Sequence, residues 1–189
     1  HLPILASMSF EAGGRTFTGC TVESFAATAR GLGADAVGIN CSLGPKEIFP
    51  MAKRLAEALP GDFPVFVKPN AGLPRADGSG YDITPQLFAM QMKPYRALNL
   101  FAAGGCCGTT PEFIRLLNGV FEGCKPGREA HRLPSVLCSP VDFVTVDGIT
   151  VVGERINPTG KKRFQQALRE GDMNYIIEQA VSQVEAGAQ

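Results

Sequence analysis

Short apolar runs alternate with amphipathic stretches from residue 3 to about residue 124 of the chain. Four of the runs have the length and composition of buried strands, and they occupy residues 3–7, 36–39, 65–68 and 98–102. The stretches between them repeat apolar residues at spacings of three and four, which is the pattern of a helix with one buried face. This alternation predicts an α/β fold in which crossover helices connect the strands of a parallel sheet.

Helices are predicted over residues 22–32, 45–59 and 85–94, and a fourth begins after Thr110. The fourth has clear start signals, because Thr110 can cap it and Pro111 suits its first turn. The chain thus contains four consecutive βα units. A closed βα barrel needs eight parallel strands, so four units leave unpaired strand edges, and we expect the intact protein to be longer than this chain.

Each predicted strand is followed by a loop rich in glycine and in polar or reactive residues. In chain order these loops read SMSFEAGG, NCSLGP, KPNAGLPRADGSG and AGGCCGTT. In parallel α/β folds, the loops at the carboxyl ends of the strands converge on one crevice. We therefore expect the functional residues to lie in these loops, at one edge of the sheet.

The helical and strand patterns stop at Cys124, and residues 125–148 are predicted to form a linker. A short apolar strand over 149–152, the polar run GERINPTG and one amphipathic helix then lead to the end of the chain. This order is that of a first βα unit, and it predicts the start of a second domain.

Charge and composition exclude several classes of protein. The 18 lysine and arginine residues balance 18 aspartate and glutamate residues, so the chain lacks the excess positive charge that nucleic-acid binding requires. No apolar run reaches the roughly 18 residues that cross a bilayer, and the first residues lack the basic segment of a signal peptide. Six cysteines are too few for a secreted disulfide scaffold. We expect a cytoplasmic protein with no nucleic-acid and no membrane partner.

Three cysteines stand out by position: Cys41 follows the second predicted strand, and the adjacent Cys106 and Cys107 follow the fourth. Glycines on both sides of the pair let the backbone turn tightly, so both sulfurs could face a third thiolate from the neighbouring loop. Three thiolates suit a zinc site that keeps its fourth position open. From the residues alone, two alternatives stay open: buried structural cysteines, or a redox pair with Cys41 as the resolving thiol.

A zinc site of this kind favours one class of chemistry. Three thiolates leave the metal centre with a net negative charge, so it activates water weakly. A thiol that occupies the open position is nevertheless deprotonated on binding. The expected product is a thiolate that is nucleophilic at neutral pH and reacts with an electrophilic carbon, above all a methyl group.

The motifs NCS, VKPNAGLP and GGCCGTTPEFI, in this order, resemble the homocysteine-binding zinc domain of the cobalamin-dependent methionine synthase family. The later runs VLCS and VGERINPTGKKRF resemble the connection into that family's methyltetrahydrofolate-binding barrel. The resemblance implies that residues 1–124 are the second half of a (β/α)8 TIM barrel, that residues 125–148 are an interdomain linker, and that residues 149–189 begin a pterin-binding barrel.

The same resemblance implies zinc ligands at Cys41, Cys106 and Cys107. It also implies that a homocysteine thiolate takes the fourth position and accepts a methyl group from methylcobalamin to form methionine. Asn70 is expected to reach that fourth position through its amide oxygen, unless it only shapes the KPNAG turn. Ser9 is expected to face the amino-acid part of the substrate.

In the second module, the resemblance implies that Glu154 and Asn157 bind the pterin ring of 5-methyltetrahydrofolate, the source of the methyl group. Solvated or structural roles in the loop are the alternative for both residues. Cobalamin would bind a module that this chain lacks. Another zinc-dependent thiol methyltransferase with a different methyl donor is the competing enzyme hypothesis, and the GERIN run argues against it.

Overall fold

A computed structural model describes residues 2–129, 131 and 133–188 of the chain. The chain divides into two compact units, one within residues 1–145 and the other within residues 146–189. None of the described helices is long and apolar enough to cross a membrane.

The first unit is built on a four-stranded sheet in which every strand pairs in parallel with the next one in the sequence. The strands are β1 (Leu5–Met8), β2 (Ala36–Asn40), β3 (Val65–Lys68) and β4 (Ala102–Ala103). The register places Ile39 of β2 beside Val67 of β3, and both side chains are fully buried. The predicted α/β fold with a parallel sheet is confirmed.

Four helices connect and follow these strands: α1 (Val22–Gly31), α2 (Pro45–Glu57), α3 (Pro85–Met92) and α4 (Pro111–Phe121). Each begins close to its predicted start. Thr21 and Thr84 cap α1 and α3 through their hydroxyl oxygens, which accept from backbone N–H groups. The prediction that the Thr110 side chain caps α4 is wrong, because this side chain makes no capping hydrogen bond in the described structure. Pro111 sets the first turn of α4 instead.

The core lies between the sheet and the helices. Ile48, Met51 and Leu55 occupy one face of α2 and are at most 3% exposed, as their spacing of three and four predicts. Burying a side chain of this size contributes about 1.5–3 kcal/mol. The packing of α2 therefore fixes the loop that precedes it, between the end of β2 and Pro45.

The predicted strand over 98–102 is wrong at its start. Residues Lys93–Leu98 form a 3₁₀ helix that continues α3, and Asn99 then turns the chain with a φ of 45°. Leu98 and Leu100 are buried in the core, so this apolar run reflects burial and not strand geometry. The strand that remains, β4, has two residues.

Residues 125–148, predicted as a linker, contain a two-stranded sheet made of β5 (Ser135–Cys138) and β6 (Phe143–Val146). The turn between them is bound to the first unit at α1, because Ser24 Oγ donates to the Asp142 carbonyl at 2.7 Å. Earlier in the same segment, the half-buried Arg128 donates to the Pro60 carbonyl at 2.7 Å. Much of the segment thus packs on the first unit.

The second unit contains two helices, α5 (Lys162–Glu170) and α6 (Met173–Glu185). The single helix expected here is wrong, because Gly171 adopts a φ of 68° and Asp172 caps the next helix. The expected strand over 149–152 is also wrong: these described residues form no strand, and Ile149 is 97% exposed. A strand needs a partner, and the described residues of this unit offer none.

A partly buried ion pair between α1 and α2 gives a prediction about stability and pH. Arg54 donates to both Glu23 carboxylate oxygens at 2.7 Å, and these bonds hold the pKa of Glu23 below its usual range. Because the folded-state pKa is lowered, the stabilisation is complete above the unfolded pKa of about 4.3 and is lost as pH falls through the folded value. Glu23→Gln should lower the free energy of unfolding by about 1 kcal/mol near neutral pH.

Urea denaturation across a pH series measures this effect. The difference between wild type and Glu23→Gln should shrink steadily below about pH 4.3. Glu57→Gln is the control, because the Lys53–Glu57 pair is wider, at 3.8 Å, and exposed, so it should change little. A difference for Glu23→Gln that persists unchanged into acid would contradict the assigned role of the ion pair.

Candidate metal centre

Two loops meet at the carboxyl edge of the sheet and bring three sulfur atoms together. Cys41 directly follows β2, and Cys106 and Cys107 lie in the loop after β4. The Cys41 and Cys107 sulfurs are 3.7 Å apart, and the Cys106 and Cys107 sulfurs are 3.9 Å apart. All three sulfurs lie within 4.8 Å of one another. Cysteines separated by 65 positions in the chain therefore form one cluster.

The segment after β3 holds the two cysteine loops in place. The Cys106 N–H donates to the Pro69 carbonyl at 2.8 Å, and the Ala71 N–H donates to the Cys107 carbonyl at 2.9 Å. On the other side, the Cys41 N–H donates to the Lys68 carbonyl at 3.0 Å. The cluster is thus fixed by backbone hydrogen bonds that extend the sheet beyond the ends of its strands.

Asn70 links the same segment to the cysteine pair through its side chain. It is only 5% exposed, and its amide oxygen accepts from the Cys107 N–H at 3.0 Å. This oxygen was expected to reach the fourth position of a metal site, and in the structure it holds the Cys107 backbone. Loss of this hydrogen bond would leave a buried polar group without its partner, which costs about 1–3 kcal/mol of stability. A role of Asn70 toward substrate stays a prediction.

The backbone is strained at Cys41, the first cysteine of the cluster in the chain. Cys41 and Ser42 have φ values of 64° and 63°, in the left-handed region that residues with a Cβ rarely adopt. Each such residue costs on the order of 1–3 kcal/mol, and such strain is concentrated at functional sites. The Asn70 N–H donates to the Leu43 carbonyl at 3.0 Å and helps to hold this turn.

The thiols differ in acidity. Burial raises the pKa of Cys41, but hydrogen bonds from the Ser42 N–H and from the neighbouring thiols and Asn70 outweigh burial, so the pKa of Cys41 is lowered overall. The bond to Cys41 raises the pKa of Cys107. The neighbouring Cys107 thiol thus favours the charged form of the Cys41 sulfur.

The donor set fits a zinc ion. Sulfur ligands at about 2.3 Å in tetrahedral geometry lie about 3.8 Å from one another, close to the separations of 3.7 Å between Cys41 and Cys107 and 3.9 Å between Cys106 and Cys107. Cys41 and Cys106 are half-buried, and Cys107 is exposed, which leaves one side of the cluster accessible. The other cysteines, Cys20, Cys124 and Cys138, are outside this group in the described structure.

Ser9, the residue predicted to face the substrate, lies near the same edge of the sheet. Its hydroxyl donates to the Asn40 carbonyl at 2.9 Å, one residue before Cys41. This contact explains its position without a ligand, so its role toward substrate stays a prediction.

The two predicted pterin-binding residues lie in the second unit and have partners within it. The Glu154 carboxylate pairs with Lys161 at 2.8 Å, and the Asn157 amide oxygen accepts from the Thr159 N–H at 2.9 Å. The second contact is a local turn, as the structural alternative for Asn157 expects. Binding of a pterin by these residues stays a prediction.

Sequence reasoning missed Tyr81, which contacts the cysteine loop. A Cβ built on Gly108, next to Cys107, would lie 2.3 Å from the Cγ and Cδ2 atoms of the Tyr81 ring. The ring therefore lies directly on the glycine backbone. Tyr81 lies 25 positions before Cys106, and a single sequence gives no signal of this contact, because only the folded loop brings the ring to Gly108.

Residues 1–121 match the family model described as homocysteine S-methyltransferase. The chain belongs to this family. It is also similar to methionine synthase of Mycobacterium tuberculosis, with 33% identity over 194 residues, and to that of Mycobacterium leprae, with 32% identity over 199 residues. Each alignment covers all of this chain and 16% of the relative. The chain thus spans about a sixth of the length of these methionine synthases.

Proposed function

We propose that this chain provides the zinc-dependent homocysteine-activating part of a methionine synthase. In this function the thiol of homocysteine accepts a methyl group from methylcobalamin, which 5-methyltetrahydrofolate supplies, and the product is methionine. The convergence of the Cys41, Cys106 and Cys107 sulfurs within 4.8 Å carries the proposal. Membership of the homocysteine S-methyltransferase family supports the choice of acceptor.

The proposal includes the architecture. Consecutive parallel strands that are also neighbours, in the order β1-β2-β3-β4, are the arrangement of a βα barrel. Residues 1–124 would form the second half of a TIM barrel, and residues 125–148 would connect it to the start of a pterin-binding barrel at 149–189. The outer edges of β1 and β4, which have no strand partner among the described residues, would then meet the other half of the first barrel.

Cys41, Cys106 and Cys107 would hold the zinc ion. When bound, zinc supplies a Lewis-acid position at which a thiol loses its proton at neutral pH. Residues around the cluster would hold and stabilise the ligands. Asn70 orients the Cys107 backbone, and the Ser42 N–H stabilises negative charge on the Cys41 sulfur. The exposed side of Cys107 leaves room for the thiol of the substrate.

The two other parts of the function have weaker support. The GERIN run in the second unit favours a folate as the source of the methyl group, with Glu154 and Asn157 toward the pterin. Similarity to methionine synthases favours a cobalamin-bound methyl donor. The redox alternative ranks last, because a disulfide between the adjacent Cys106 and Cys107 would close a strained ring. A cytoplasmic location remains an expectation.

Zinc analysis and X-ray absorption spectroscopy of the full chain test the proposal. The reduced chain should retain about one zinc ion, with three sulfur scatterers at about 2.3 Å. Addition of homocysteine should raise the sulfur count to four, and homoserine, which has a hydroxyl in place of the thiol, should leave it at three. A folded, reduced chain without zinc would overturn the proposal. A sulfur count that stays at three after homocysteine is added would also overturn it.

A further inference from the structure

A single peptide unit lies between the Cα atoms of the adjacent residues Cys106 and Cys107. It consists of the Cys106 carbonyl and the Cys107 N–H. Because a peptide unit is planar, rotation of this unit turns the backbone of both cysteines together and redirects both side chains. The positions of two of the three clustered sulfurs therefore depend on the contacts that hold this one peptide unit.

Side chains hold this peptide unit at both of its polar ends. At the N–H end, the Asn70 amide oxygen accepts from the Cys107 N–H at 3.0 Å. At the carbonyl end, the Thr109 hydroxyl donates to the Cys106 carbonyl at 2.7 Å. The Thr109 N–H donates to the same oxygen at 3.2 Å, the upper end of the usual range for such a bond. The hydroxyl therefore makes the closer of these two contacts with the Cys106 carbonyl.

The Thr109 side chain is held in place by the backbone of Gly105, the residue before Cys106. A Cβ built on Gly105 would lie 2.5 Å from both Oγ1 and Cγ2 of Thr109. The threonine side chain thus lies directly on the glycine, and Thr109 is half-buried. Branching at Cβ further restricts the rotation of a threonine side chain. Packing as well as hydrogen bonding therefore directs the Thr109 hydroxyl to the Cys106 carbonyl.

We infer that Thr109 is a positioning residue of the cysteine cluster: its hydroxyl fixes the peptide unit between Cys106 and Cys107 and so holds both sulfurs in the cluster. The inference rests on the proposed function, because zinc affinity is the property that this contact changes. Residues that orient metal ligands typically change metal affinity by about 10–100-fold.

Thr109→Val tests the hydroxyl, because valine has nearly the same shape and a methyl group in its place. Zinc affinity of the reduced full chain is measured by competition with a chelator, and the ligand geometry is monitored by the visible ligand-field bands of the Co²⁺-loaded chain. We expect zinc binding to be about tenfold weaker and the cobalt bands to shift, because two sulfurs change direction. Thr109→Ser keeps the hydroxyl and should match the wild type in both measurements.

Thr110→Val is the matched control, because it makes the same substitution at the next residue. The Thr110 side chain makes no capping hydrogen bond, the residue is exposed, and its φ of −120° suits valine. This variant should bind zinc like the wild type.

Gly105→Ala is a second test that leaves the Thr109 hydroxyl in the chain. The backbone of Gly105 lies outside the left-handed region, so it accepts an alanine. The added Cβ would displace the Thr109 side chain and with it the hydroxyl. We expect zinc binding to be weaker in this variant as well.

Wild-type zinc affinity and unshifted cobalt bands in Thr109→Val would overturn the inference while leaving the proposed function intact. Equal losses in Thr109→Val and Thr109→Ser would also overturn it, because the hydroxyl would then not be the cause. If Thr109→Val fails to fold, Gly105→Ala decides, and wild-type zinc affinity in that variant would overturn the inference. A wild-type chain that binds no zinc would overturn both.

Discussion

Cys41→Ser should abolish zinc retention by the chain. Cys41 is the one proposed ligand in the loop after β2, and its sulfur lies 3.7 Å from that of Cys107. Without it, two adjacent thiolates remain, and a hydroxyl replaces the third donor. Loss of a residue that only supports a ligand already costs about 10–100-fold in affinity, so loss of a ligand should cost more than about a hundredfold. Zinc content after dialysis should fall from about one ion per chain to nearly none.

Cys124→Ser is the control for this experiment. Cys124 is half-buried and lies outside the sulfur cluster, so its replacement should leave the zinc content unchanged. The unfolding midpoint of metal-free Cys41→Ser should remain close to that of the wild type. The neighbouring Ser42 already has the same left-handed backbone conformation as Cys41, so this conformation accepts a serine. Full zinc content in Cys41→Ser would remove this cysteine from the proposed ligand set.

The sequence was sufficient to bring the three cysteines to one edge because parallel topology leaves little choice. Apolar runs of strand length alternate with helical stretches, and a helical crossover between two strands makes them run in the same direction. Loops after β2 and β4 must then lie at the same end of the sheet. The pattern therefore predicted the neighbourhood of Cys41 and of the Cys106–Cys107 pair without any knowledge of their contacts.

The structural features that the sequence failed to predict depend on contacts between residues that are distant in the chain. The apolar run that begins at Leu98 is buried as part of a 3₁₀ helix, and burial alone does not distinguish a helix from a strand. The run 149–152 has strand composition, but it has no strand partner in the described part of its unit. Tyr81 reaches Gly108 only because the loop between β3 and α3 folds back toward the cysteines. None of these contacts has a local signature.

Gly38→Ala should destabilise the first unit by about 3 kcal/mol, at the upper end for an added methyl group. Gly38 lies in the middle of β2, opposite Phe66 of β3. A Cβ there would lie 2.5 Å from two carbons of the Phe66 ring and 2.6 Å from the Phe66 carbonyl oxygen. The ring could rotate away, but the carbonyl belongs to the backbone of β3, so relief requires the two strands to separate. Guanidinium denaturation of the full chain measures the loss.

Gly119→Ala is the matched control, because the same substitution in α4 meets no atom within 4 Å. It should stabilise the chain by about 0.5–1 kcal/mol, since alanine favours a helix more than glycine does. Equal effects of the two substitutions would show that the spacing between β2 and β3 is not limited by Gly38. If the strands do separate, the bond from the Cys41 N–H to the Lys68 carbonyl must lengthen with them, so Gly38→Ala should also weaken zinc binding. Gly38 would then link the packing of the sheet to the position of the first sulfur.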